Sequence, residues 1–222
     1  MRLPLSGTLA VVLRAAPLLL IAAYAAAADT ALDQKVKVDD HSFKCITEMT
    51  KVRHFYVDNL LGNVAGTVAV ATADKGDYPP GSVLQLMPNE AMVKHEKGFN
   101  PATHDWEFFF VDTDKNGSKI FTRGFTEVNN RLGLNCFNCH KLARPEFDLV
   151  CEQDHGCAPI PVTRAMFGAL QRTDPRCKHE GPVSAEDQAA LKQLDLVVKA
   201  LKAGAARAID RDVPRPRADE PR

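Results

Sequence analysis

Five consecutive residues, Cys136-Phe137-Asn138-Cys139-His140, constrain this chain more than any other stretch. C-x-x-C-H is the attachment pattern of a c-type haem, and its spacing has a chemical reason. Thiols three positions apart can add to the two vinyl groups on one edge of the macrocycle. The adjacent imidazole of His140 then lies under the iron as proximal ligand. The competing readings are a structural disulfide, half of a zinc site, and a thioredoxin-like redox pair. Zinc needs a second Cys/His pair nearby, and Cys151, His155 and Cys157 do follow closely. A thioredoxin pair wants a βαβ context, which the flanking sequence does not offer. Together with the export signal below, the motif predicts haem c on Cys136 and Cys139, with His140 as the metal ligand.

Residues 1–28 set the expected compartment. Arg2 opens a short basic region, Ala15 to Ala28 is apolar apart from Pro17 and Tyr24, and Ala25-Ala26-Ala27-Ala28 precedes Asp29. This is the pattern of a cleaved secretory signal peptide; an uncleaved anchor is the weaker alternative, because the run is short for a membrane span. No later stretch is apolar enough to span, so the mature protein is expected in the periplasm without stable membrane insertion. In an oxidising compartment the cysteines outside the motif, Cys45, Cys151, Cys157 and Cys177, are expected to pair, with three connectivities open. Cys151–Cys157 is the local choice. Cys45–Cys177 would then tie the start of the domain to its end, worth about 4–5 kcal/mol in the chain-entropy model. Lys+Arg and Asp+Glu both number 28, so the charge balance gives no sign of a nucleic-acid partner.

At 222 residues the chain suits one domain with appendages, and 45% hydrophobic residues support a core. Residues 29–44 read as a polar lead-in. Val52 to Val57 is rich in β-formers, and Ser82 to Met87 reads as a strand stopped by Pro88. Val64 to Ala73 is apolar but ambiguous between helix and strand. Asn89 to Gly98 reads as a short helix or a loop. Trp106 to Val111 and Lys119 to Thr122 flank Asn116-Gly117, a hairpin signal. Asp112, Asp114, Asn116 and Gly117 also match the opening of a calcium loop, but its twelfth position, which should be Glu, is Arg123. Thr163 to Gln171 reads as a short helix. Ser184 to Asp187 resembles a capping box, and Leu191, Leu194, Val197, Val198 and Leu201 recur behind it at helical spacing. Gly204 can end that helix, which reads as packed on the domain, with a partner helix as the alternative. The expected organisation is a signal peptide over 1–28, a haem-binding domain with a C-terminal helix over 29–203, and a disordered tail over 204–222. The fold class expected is mainly β (α+β), an antiparallel sheet with short helices.

A C-x-x-C-H this late, after a largely β stretch, argues against the small helical cytochrome c fold. The chain resembles instead the cytochrome P-460 family and its relatives, the cytochromes c′-beta. The resemblance runs from about Lys51 to Val150. It rests on Val52-Arg53-His54-Phe55-Tyr56-Val57-Asp58, Tyr78-Pro79-Pro80-Gly81-Ser82-Val83-Leu84, Asp105-Trp106-Glu107-Phe108-Phe109 and the haem motif. It implies an exported, mostly β, mono-haem protein, usually a homodimer, with an open distal side. P-460 enzymes carry a lysine cross-linked to the haem in the strand after the Gly-Ser/Thr-Val turn. The matching position here is Leu86, with Lys94 and Lys97 past Pro88 as distant substitutes. That departure points to the c′-beta side, where an apolar pocket binds nitric oxide or carbon monoxide.

Arg53 matches an arginine of the family pattern, suited to a propionate or a bound ligand; a strand-face salt bridge is an equal alternative. Leu84, Leu86 and one or more of Phe108, Phe109 and Phe110 are expected to wall the distal side. The other histidines, and Met87, Met92 and Met166, read as ordinary surface or core residues. The expected function is a haem protein that takes a small diatomic or nitrogen-oxide ligand. The alternatives are a six-coordinate electron carrier with a redox partner protein, and a P-460-type oxidoreductase acting on hydroxylamine or nitric oxide.

Overall fold

The computed structural model describes residues 35–212. The expected signal peptide and the last ten residues of the expected tail lie outside the described residues. Six antiparallel strands form one sheet in sequence order: β1 (Thr50–Val52), β2 (Phe55–Asn59), β3 (Ser82–Met87), β4 (Glu90–Lys94), β5 (Trp106–Asp114) and β6 (Gly117–Gly124). Four helices accompany it: α1 (Val64–Ala73), α2 (Cys136–His140), α3 (Arg164–Arg172) and α4 (Ala185–Asp212). The fold is α+β and mainly β, as expected.

Both faces of the sheet are covered, so its central strands bury successive residues rather than alternate ones. One face gathers Val52, Phe55, Val57, Leu84, Met92, Trp106 and Phe108 with Ala71 of α1 and Val128, Leu149 and Val150. The other gathers Tyr56, Val83, Ala91, Val93, Phe109 and Val111 under Val36, Phe43, Ile46 and Met49. The described part of the lead-in thus adds Val36 and Phe43 to this core rather than merely approaching it, with Ile46 and Met49 just after it. The 3-10 turn Asp40–Ser42 separates Val36 from Phe43, and Ile46–Glu48 follows, so no helix or strand period announces these residues.

The ambiguous stretch after β2 is a helix, α1, because its ends are capped. Asn63 Oδ1 accepts the Gly66 N–H at 3.1 Å, and Asp74 closes the last turn in the left-handed conformation. A buried polar knot joins it to the sheet: Asn59 Nδ2 donates to Thr67 Oγ1 at 3.0 Å, which lies 2.8 Å from Ser82 Oγ. Gly81, at the entry to β3, has φ +85°, and a Cβ there would meet Asn59 Oδ1 at 2.6 Å. Only glycine fits that turn.

Two expectations need correction here. Asn89 to Gly98 is not a helix: Glu90–Lys94 is β4, paired with both β3 and β5. Its pattern is hidden because Glu90 and Lys94 share the inward face of Met92, so the strand does not read as apolar alternation. The run Val52 to Val57 is two strands, split where Arg53 turns the chain with φ +52°. The β5–β6 hairpin forms as expected, with Asp114 opposite Gly117 and Arg123 paired to Glu107 rather than facing an ion. Both disulfides form, Cys45–Cys177 and Cys151–Cys157. In α4, Ser184 Oγ caps the Asp187 N–H at 3.1 Å, and the helix runs through Gly204 to Asp212. Its apolar stripe is only half-buried, packed beside α3. Among the described residues no helix is long and apolar enough to cross a membrane.

Candidate functional site

The motif is a single helical turn, α2, laid against the first face of the sheet. Asn135 caps it by accepting the Asn138 N–H at 2.8 Å, and the Cys136 N–H donates to Val128 O at 3.0 Å. Within one turn, positions three and four apart share a side, so Cys136, Cys139 and His140 are presented together. Among the described cysteines these two are the ones outside disulfides, Cys136 half-buried and Cys139 exposed. Burial, and then the charge of Glu90, push the Cys136 thiol up to about 12.

His140 is the most tightly specified member. Its Nδ1 lies 2.7 Å from Leu149 O. A carbonyl only accepts, so Nδ1 carries the proton and Nε2 keeps its lone pair. Burial lowers the pKa of the ring, partly opposed by that hydrogen bond, which favours the neutral imidazole a metal needs. The ring lies 5.1 Å from that of Phe108, and Phe108 lies 6.4 Å from Phe137. Around them are Leu84, Leu86 and Met92, packed in the same apolar cluster as Cys136.

Glu90 is the residue that sequence reasoning missed. Strand alternation places it on this face beside Met92, and Asn130 Nδ2 donates to its Oε1 at 3.0 Å. Burial raises its pKa, only partly offset by that bond. The signal that could have found it is the tight Pro88-Asn89 turn after β3, which makes the next residues an antiparallel partner.

Two expected site residues, Phe109 and Arg53, lie elsewhere, while Lys94 is engaged away from the motif and Met166 is a core residue as expected. Phe109 is on the opposite face, 5.1 Å from Phe43; it is Phe108 that meets the motif. Arg53 is committed to Glu152, to Asp74 Oδ1 at 2.7 Å and to Ala71 O at 2.8 Å, so its guanidinium is spent on an ion-pair network. The Lys94 amine is bound to both carboxylate oxygens of Asp148, at 2.8 and 2.7 Å. Met166 is buried in α3, its sulfur 3.5 Å from the Thr163 N–H.

The zinc alternative finds no second pair of thiols, because Cys151 and Cys157 are bonded to each other. Asp74, Glu152 and His155 do converge, but Arg53 already supplies the positive charge there. A surface recess of about 360 Å³, lined by Pro88, Phe110, Arg131 and Leu170 among others, includes none of the motif residues and lacks their chemistry.

Fold and site together define an α+β sheet protein that presents two free cysteines and an oriented histidine on one turn against an apolar face. Comparison with family models, with curated proteins and with solved structures finds no match.

Proposed function

We propose that the chain is a periplasmic mono-haem c-type protein with an open distal site for a small neutral ligand such as nitric oxide or carbon monoxide. The observation that carries this reading is the state of His140: its Nδ1–H is held by Leu149 O, and among the described residues no hydrogen bond involves its Nε2, on the same turn as two cysteines outside disulfides. The residues fit the group. Cys136 and Cys139 would hold it covalently and His140 would be its axial ligand. The haem would supply a redox-active iron with one further coordination position. Leu84, Leu86, Met92 and Phe108 would line the apolar face against which the group lies, where a charged ligand would find few partners. An unpaired buried polar group costs about 1–3 kcal/mol, which disfavours such ligands by roughly ten- to a hundredfold. Glu90 is an ionisable side chain on that face, and Lys94, also on it, is paired with Asp148. The residues that read as a signal peptide, with two disulfides in the fold, support export.

The side chain at 86 is apolar, and Lys94 is engaged by Asp148, so neither offers a free amine for a P-460-type cross-link. Hydroxylamine oxidation is therefore expected to be weak. The test is an absorption spectrum of the reduced protein with and without carbon monoxide, after acid–organic extraction has established that the haem stays on the chain. A marked shift on adding the gas is the expected result. A low-spin spectrum unmoved by it would replace this reading with the electron carrier, and extractable haem would remove the covalent assignment.

A further inference from the structure

Next to the motif, two consecutive non-glycine residues adopt the left-handed conformation, Asp148 with φ +48° and Leu149 with φ +63°. A leucine rarely does so without being held. The holding groups come from three separate parts of the sheet. Lys94 Nζ of β4 binds both carboxylate oxygens of Asp148, and the Tyr78 N–H before β3 donates to Oδ2 at 2.9 Å. Trp106 Nε1 of β5 donates to the Asp148 backbone carbonyl at 2.7 Å, with the Lys94 ammonium 5.1 Å above its ring. Asp148 is 1% exposed and Lys94 7%. The carbonyl of the very next residue, Leu149, is the one that receives the His140 Nδ1 proton.

We propose that the Lys94–Asp148–Trp106 cluster is a positioning device for His140. By fixing the backbone at 148–149 it aims the Leu149 carbonyl, and so sets the tautomer and donor strength of the imidazole. The part that concerns iron rests on the haem reading above; the orientation of the ring does not. A hydrogen bond to the far nitrogen of a ligating imidazole makes it a stronger donor, and such outer partners are worth roughly 10- to 100-fold in metal affinity. A stronger donor favours ferric over ferrous iron. Taking the lower bound as the change in that preference, about tenfold, loss of the device raises the reduction potential by about 59 mV for one electron.

The test compares the haem-loaded wild type with two variants. Lys94→Met combined with Asp148→Asn removes both charges while keeping a residue tolerant of the left-handed conformation. Trp106→Phe keeps the Lys94–Asp148 pair and an aromatic ring beneath Lys94 while removing the donor to the Asp148 carbonyl, and it serves alone if the double variant does not fold. The expected result is a higher potential and a lower iron–imidazole stretching frequency in the ferrous resonance Raman spectrum. Lower melting temperature with band and potential unmoved would overturn the proposal and leave the cluster as packing. Should the wild type carry no haem, that reading fails separately, and the histidine ¹⁵N shifts of the haem-free chain decide this one. One fixed Nδ1–H tautomer in the wild type and a mixture in the variants is expected; an unchanged tautomer overturns it.

Discussion

Glu90 sits where an apolar wall was expected, and it carries a pH dependence. Its folded pKa lies above the ordinary carboxylate range because burial penalises the charged form, with Asn130 only partly compensating. The neutral acid is therefore the form the fold tolerates. Stability is intact below the unfolded pKa and falls as pH rises through the folded one. Glu90→Gln is expected to raise the melting temperature at neutral pH and to leave it unchanged in acid, read by thermal denaturation at several pH values. A variant less stable at neutral pH would contradict this assignment. At this scale the sequence was informative about kind and poor about side. That Cys136, Cys139 and His140 share one helical turn was legible from their spacing. Phe108 and Phe109 could not be told apart, because both faces of β5 are buried and a run of aromatics carries no parity. Of the two readings of Arg53 the structure shows the ion pair, and the sequence could not choose it because its partners, Asp74 and Glu152, lie 21 and 99 residues away.

Among the elements, those announced by local chemistry are where the sequence put them. The β5–β6 hairpin is set by its turn, α3 by Thr163, and the start of α4 by Ser184. The ones it hid depend on distant partners. β4 carries Lys94 on an inward face only because Asp148, 54 residues on, neutralises it. Asp187, expected as part of a capping box, also reaches across to α3, where Arg172 Nη2 binds it at 2.6 Å and Nε at 3.1 Å. That pairing lowers the Asp187 pKa. The stabilisation is thus present above the ordinary carboxylate range and lost as pH falls through the folded value. Because the Arg172 side chain is 59% exposed, solvent screening limits the effect. Arg172→Ala is expected to cost about 0.5–1 kcal/mol near neutrality and almost nothing in strong acid, by urea titration.

Across the whole molecule, neighbours along the chain are neighbours in the sheet, a local topology that favours rapid folding. The disulfides depart from that locality to very different degrees, with sequence separations of 132 and 6. Chain entropy then assigns about 5 kcal/mol to Cys45–Cys177 and about 2 kcal/mol to Cys151–Cys157. Replacing each pair by alanines should reproduce that order in chemical denaturation, and equal costs would show that native packing rather than the unfolded chain sets the difference. The long crosslink also has a consequence for biogenesis. On a chain delivered amino end first, the Cys45 thiol waits for its mate while four other cysteines go by, the motif pair among them. Once folded, Cys136 is a feeble nucleophile, its thiol pushed up to about 12. Under the proposed haem reading the Cys136 thiol would react more readily before burial than after it, and Cys177, the last cysteine in the sequence, is the one that completes the long crosslink.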